Sequence, residues 1–180
     1  MTPVQRNNAG KKVTLGGVLT ALGLICIYLA NLLPTTRLTF LAIGSMFIFV
    51  MVIEFGVRAA LATYAATSLL AVAILPFNLL AILYIIFFGY YGVVKYYIEK
   101  INHLILEWVI KIIFFNLLMA GLYMLILIIP SFKNMMDTSA GAFTVWSTVA
   151  LGEIAFIVYD YGYSIVISYY KNRLKKLLRF

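Results

Sequence analysis

Six long apolar runs, separated by short polar connections, dominate the hydropathy pattern of the chain. Each run is close to the roughly 20 residues that a helix needs to cross the hydrocarbon core of a bilayer. The pattern therefore predicts an all-α polytopic membrane protein with six transmembrane helices in a compact bundle. The second and third runs are the least separated, which leaves open whether both cross fully. The runs are 13–33, 38–55, 59–75, 79–94, 104–129 and 143–168.

Polar segments at both ends flank the predicted transmembrane domain of residues 13–170. Residues 1–12 are expected to form an irregular N-terminal tail, and residues 171–180 a basic C-terminal tail. An even number of spans places both tails on one side, and Lys and Arg concentrate on the cytoplasmic side of membrane proteins. Both termini are expected in the cytoplasm, because the tails and the connections on their side carry most of the basic residues. The opposite side has Arg37 and Lys133.

The composition excludes a soluble domain. Of the 180 residues, 64% are hydrophobic and 11% are charged, and a soluble domain of this size cannot bury that much apolar surface. The net charge of +8 indicates orientation rather than nucleic-acid binding, because the basic residues lie at the ends of the spans. The motifs of metalloproteases, serine hydrolases and P-loop ATPases are absent from the sequence. We therefore expect no enzyme activity, no metal site and no cofactor in this chain.

The sixth run keeps two carboxylic acids, Glu153 and Asp160, on one helical face. An ionisable side chain at the bilayer centre costs about 2.5–3.5 kcal/mol on insertion scales, so it usually faces protein or water. Counting along the spans puts Glu153 near mid-membrane, with Asn116 and Tyr84 at comparable depth and Trp146 on the same face. Apolar walls with a few polar groups are typical of small-molecule pockets, so these residues are predicted to bind a substrate. The further candidates, at the outer ends of the runs, are Asn31, Arg37 and Asn78.

The alternative interpretation is that Glu153 has a structural role only. A protonated Glu153 that bonds a neighbouring helix would contribute to packing and nothing more.

A charge cluster is predicted near the cytoplasmic ends of the helices. Glu107 precedes Lys111 by four residues, the favourable order for a helical ion pair, and Glu54 and Arg58 repeat the spacing. These charges either neutralise one another between helix ends or dock a cytoplasmic partner. The cluster comprises Glu54, Arg58, Glu107, Lys111 and Asp160.

The first run begins with a stripe of small residues in "TLGGVLTALG". Gly17 and Ala21 form a small-xxx-small pair, and Gly16 lies beside it. Small residues let two membrane helices approach closely. The stripe is therefore predicted either to pack inside the bundle or to dock a partner helix.

These features together resemble the substrate-binding S components of energy-coupling factor (ECF) transporters. The features are a small basic chain, six spans, both ends inside, "KKVTLGGVLTALG" on the first helix and an outer pocket between the later helices. The architecture resembles that family over most of the chain, but few individual residues carry the resemblance. It implies that Gly17 and Ala21 contact a transmembrane coupling subunit, although Gly17 stands where alanine is usual.

The resemblance also implies a function. A chain of this kind lies in the bacterial plasma membrane, captures a vitamin or vitamin precursor from outside, and works with two cytoplasmic ATPase subunits that use the ATP. The cargo stays open between a ring such as a thiamine-precursor pyrimidine, which suits one carboxylate and many tyrosines, and an anion such as pantothenate, which suits Arg37 and Lys133. The alternative is an assembly subunit that docks a partner through its charge cluster and binds no ligand.

Overall fold

The computed structural model describes the backbone of residues 3–76, 78–128, 142–170 and 172, and the side chains of 9–76, 78–124, 147, 149–170 and 172. The regular elements in these residues are all helical. They are α1 (Pro3–Leu32), a 3-10 turn (Pro34–Thr36), α2 (Arg37–Phe55), α3 (Val57–Ile74), α4 (Leu79–Leu83), a π turn (Tyr84–Phe88), α5 (Gly89–Glu99), α6 (Leu104–Ile128) and α7 (Ala142–Tyr169).

Six segments in this part of the chain are long and apolar enough to cross a membrane. They agree with the six predicted runs, and the second and third are separate helices of sufficient length. The fourth combines α4, the π turn and α5. The segments are Ala9–Leu32, Pro34–Phe55, Val57–Ile74, Leu79–Glu99, Leu104–Met124 and Val149–Tyr169.

The first helix starts earlier than the hydropathy pattern predicts. It begins at Pro3, so the predicted irregular tail is wrong for residues 3–12. Proline is well suited to the first position of a helix, where its missing N–H leaves no hydrogen bond unmade. No second proline stands between that start and the apolar run, and Gln, Arg and Lys have high helix propensity, so a polar segment can continue a helix. The C-terminal tail from Arg173 onwards lies outside the described residues.

Two short joints separate the first three helices. Leu33 precedes Pro34 and has an extended backbone, which ends α1, because the proline ring disfavours helical geometry in the residue before it. Gly56 ends α2 and precedes α3 with a φ of 81° and a ψ of 175°. Glycine reaches this conformation without strain, so α2 and α3 are two helices rather than one.

The fourth apolar segment contains a π turn that leaves the regular helical hydrogen-bond pattern. Within it, the Tyr64 hydroxyl of α3 donates a hydrogen bond of 2.9 Å to the carbonyl oxygen of Ile85. A Cβ on Gly89 would lie 2.5 Å from the Tyr64 ring. Glycine at position 89 therefore allows the aromatic ring to lie against this helix.

The structure divides into two units, Met1–Lys111 and Ile112–Phe180. Unit 1 packs α1 to α5 around residues that are fully buried, among them Ile27, Leu41, Ile48 and Tyr91. In unit 2, the rings of Phe115 on α6 and Phe156 on α7 stack with their centroids 4.7 Å apart. Each unit thus has its own apolar contacts.

Candidate functional site

Asn116 and Glu153 form a polar pair in unit 2. The Asn116 amide donates a hydrogen bond of 3.1 Å to Glu153 Oε1, joining α6 to α7. The same nitrogen donates a bond of 3.0 Å to the carbonyl oxygen of Ile112, one turn earlier on α6. Asn116 is exposed and Glu153 is half-buried, so the pair lies at the surface of the described protein.

The pair lies at the middle of two long apolar helices. Asn116 is the midpoint of the 25-residue α6, and Glu153 is within three residues of the midpoint of the 28-residue α7. The stacked rings of Phe115 and Phe156 are neighbours of the pair along both helices, and they are buried. A Cβ on Gly152 would lie 3.4 Å from the Phe115 ring, so glycine there allows the helices to approach closely. This packing fixes the separation at which the polar pair bonds.

Asn31 and Asn78, two further predicted substrate residues, are also brought together. The Asn78 amide donates a hydrogen bond of 2.9 Å to Asn31 Oδ1. Asn78 Oδ1 accepts from the backbone N–H groups of Leu80 and Ala81, at 2.9 and 3.3 Å. Asn78 is therefore the N-cap of α4, and its bond to Asn31 connects the end of α1 to that cap.

Tyr84 is in the interior of unit 1. Its side chain is fully buried, and a Cβ on Gly23 of α1 would lie 3.9 Å from its hydroxyl oxygen. A Cβ on Gly44 would lie 3.4 Å from the Tyr84 ring. The hydroxyl is buried and has no hydrogen-bond partner among the described residues. Tyr84 thus contributes to the core of unit 1, and nothing in the described structure opens it to a substrate.

The last two substrate candidates are Arg37 and Trp146. Arg37 is the first residue of α2 and is exposed. Trp146 lies on α7, and its side chain is outside the described residues.

A groove of about 220 Å³ runs along α1 and α3 in unit 1. It is smaller than the roughly 300–1,000 Å³ typical of ligand pockets and has an apolar lining. None of the predicted substrate residues lines it. The lining residues are Leu24, Ile25, Ile27, Tyr28, Leu29, Ala71, Ile74 and Leu75.

The small residues of α1 divide between the interior and the surface. Gly17 and Ala21 are exposed, and a Cβ on Gly17 would meet no atom within 4 Å in the described structure. A Cβ on Gly16 would lie 3.4 Å from Thr63 Oγ1 and 3.6 Å from Met51 Cε. Gly16 therefore packs inside unit 1, whereas Gly17 and Ala21 leave a smooth strip of α1 open.

The charged residues of unit 1 pair differently from the prediction. Lys111 Nζ lies 3.7 Å from Glu99 Oε1, and Lys95 Nζ lies 2.8 Å from the same oxygen. In the described part of the chain no ion pair joins Lys111 to Glu107, so the predicted Glu107–Lys111 pair is wrong. Spacing along α6 suggested that pair, but Glu99 approaches Lys111 from α5. We call Lys95, Glu99 and Lys111 the lysine–glutamate cluster.

The other members of the predicted charge cluster lie on several helices. Glu54 is on α2 and Arg58 is on α3, so the break at Gly56 removes the helical i,i+4 relation that the spacing suggested. Arg58 is exposed, and Glu54 and Glu107 are half-buried. Asp160 is buried, and its carbonyl oxygen accepts a hydrogen bond from the Ser164 hydroxyl.

Sequence reasoning missed Lys95 and Glu99 as members of a cluster. The signal was present in "KYYIEK", where Lys95 and Glu99 are four residues apart. The predicted fourth run ends at residue 94, whereas α5 continues to Glu99 and buries Lys95 completely.

Groups of three or more potential metal ligands are absent from the described residues. No protein-family model, no curated protein and no solved structure matches this chain.

Proposed function

We propose that this chain is the membrane-embedded substrate-binding subunit of an ECF-type importer. It captures a small water-soluble vitamin or vitamin precursor from outside the cell. A transmembrane coupling subunit and two cytoplasmic ATPase subunits then deliver the substrate inward, and those subunits rather than this chain use ATP. The six helices cross the bacterial plasma membrane, and both termini lie in the cytoplasm.

The observation that carries the proposal is the Asn116–Glu153 pair. Polar and ionisable groups at mid-membrane are costly, and in membrane proteins they mark substrate pathways and binding sites. Here such a pair lies at the middle of two apolar helices, with Asn116 exposed and Glu153 half-buried rather than enclosed. A water-soluble substrate that meets these groups would compensate for their cost.

The open strip on α1 supports the second half of the proposal, assembly with a coupling subunit. Gly17 and Ala21 leave room for another helix to approach the backbone of α1 closely. Since Gly16 packs inside unit 1, the docking role is proposed for Gly17 and Ala21.

The alternative of an assembly subunit that docks through its charge cluster has weaker support. Lys111 and Asp160 are buried, so their side chains are not presented to a partner. Lys111 also has Glu99 as an ion-pair partner inside the same unit.

Purification of the tagged chain from its own host tests the assembly that the proposal requires. The wild-type chain should co-purify with ATPase subunits, and Gly17→Leu should reduce the recovered ATPase by at least ten-fold, because the leucine fills the space that a partner helix needs. Gly121→Leu is the matched control, since a Cβ at Gly121 also meets no atom within 4 Å.

Two outcomes would argue against this account. Absence of ATPase subunits from the wild-type preparation would remove the importer assignment. Equal recovery with Gly17→Leu would show that α1 does not form the docking surface.

A further inference from the structure

The hydrogen bonds of Asn116 determine what the Asn116–Glu153 pair can offer a substrate. An asparagine amide has two N–H donors, and both are already engaged. One bonds the Ile112 carbonyl oxygen and the other bonds Glu153 Oε1. The amide therefore has no donor left for a ligand.

The orientation of this amide is fixed by chemistry. A flipped amide would place Asn116 Oδ1 against the Ile112 carbonyl oxygen, and both atoms accept hydrogen bonds. Two acceptors at 3.0 Å repel, so the nitrogen must face Ile112.

Two oxygens remain for a ligand. Asn116 Oδ1 and Glu153 Oε2 have no hydrogen-bond partner in the described part of the chain. Both accept hydrogen bonds when Glu153 is ionised, and together they carry one negative charge. We call these two atoms the acceptor edge.

We propose that the acceptor edge selects a cationic substrate that donates N–H hydrogen bonds, as in an amidine, a guanidine or a protonated aminopyrimidine. This inference rests on the proposed function and specifies its substrate class. A carboxylate edge is rejected, because it would place two more acceptors and a second negative charge against the site. The anionic class of cargo is therefore excluded from binding through this edge.

The expected class of substrate depends on whether Glu153 is ionised or protonated. A protonated Glu153 would offer one O–H donor beside the Asn116 acceptor, and that arrangement suits a neutral amide rather than an amidinium. Ligands that share one ring and differ only in their hydrogen-bonding group distinguish the ionised from the protonated form of Glu153.

The test uses benzamidine, benzamide and benzoate as probes of the detergent-purified full chain, titrated and followed by ligand-observed NMR. Benzamidinium carries two donors, benzamide one donor and one acceptor, and benzoate two acceptors. We expect benzamidinium to bind at least ten-fold more tightly than benzamide, since its bonds are charge-assisted, and benzoate to bind weakest.

Glu153→Gln gives the specific control. It removes the charge and half of the acceptor edge, so the preference for benzamidinium over benzamide should fall at least ten-fold. Glu107→Gln, which alters a glutamate outside the pair, should leave the preference unchanged.

Each failure has its own meaning. If benzamide or benzoate binds most tightly, or if Glu153→Gln keeps the benzamidinium preference, the substrate class is wrong. If no probe binds, the acceptor edge is not a ligand-binding site. The substrate-binding function would survive either result if a vitamin binds tightly with an affinity that Glu153→Gln leaves unchanged.

Discussion

The Tyr64 side chain determines which residue position 89 accepts. Its hydroxyl donates a hydrogen bond of 2.9 Å to the Ile85 carbonyl oxygen, and its Cβ is attached to α3. The ring is therefore fixed at its hydroxyl and at its backbone, which limits its movement away from position 89. The ring also packs edge-to-face against Tyr90, with centroids 5.9 Å apart. Glycine at position 89 is therefore required by a specific contact rather than by backbone freedom.

Gly89→Ala is expected to destabilise the protein. Its Cβ would lie 2.5 Å from the Tyr64 ring, and overpacking of this kind typically costs about 1–3 kcal/mol. Gly162→Ala is the control, because a Cβ there meets no atom within 4 Å and alanine favours a helix by about 1 kcal/mol over glycine. Unfolding in mixed detergent micelles measures both variants. Equal stability of the two variants would show that the Tyr64 ring does not hold the position described here.

At the residue scale, the sequence indicated depth along a helix better than it indicated burial. Depth counting placed Asn116 opposite Glu153, and the structure joins them, because both lie near the middle of their helices. The same counting grouped Tyr84 with them, yet Tyr84 is buried in the core of unit 1. Depth along a helix follows from the sequence alone, whereas the face that a residue presents depends on which helices surround it.

At the scale of elements, the lysine–glutamate cluster joins the end of α5 to the start of α6. Lys95 is fully buried and Lys111 is 4% exposed, and both approach one oxygen of Glu99. Lys111 also lies over the Trp108 ring, 5.4 Å from its centroid. Between the two helices, Asn102 has a φ of 59°, a conformation that asparagine tolerates better than most residues.

Glu99→Gln is expected to weaken this connection. Removing one partner of a fully buried ion pair costs about 3–5 kcal/mol, and because Glu99 is 37% exposed we expect about 1–2 kcal/mol here. Glu107→Gln should change the free energy of unfolding by less than about 0.5 kcal/mol, since no ion pair involves Glu107 in the described residues. Urea or detergent unfolding of the two variants gives the comparison. A larger loss for Glu107→Gln would contradict the assigned pairing.

Apolar runs predicted the helices well because each crossing needs a minimum length of hydrophobic residues. They predicted the start of α1 poorly, since residues 3–12 are polar and helical at once. The pairing of Glu99 with Lys111 was also missed, because the two residues lie on different helices and sequence spacing reports only contacts within one helix.

At the scale of the whole molecule, the outward surface of the described helices is largely apolar. Leu104, Ile105, Leu69 and Leu117 are each at least 70% exposed. Such a surface suits contact with lipid rather than water. Against this surface the Asn116–Glu153 pair stands out as a polar group that needs a polar partner.

The most direct test of the proposed function is binding of a panel of vitamins and their precursors to the purified chain, followed by tryptophan fluorescence. We predict one tight ligand, with an affinity that falls at least ten-fold in Glu153→Gln while the folded helical content stays unchanged. A folded chain that binds no member of the panel would contradict the claim that this protein is a vitamin-binding subunit.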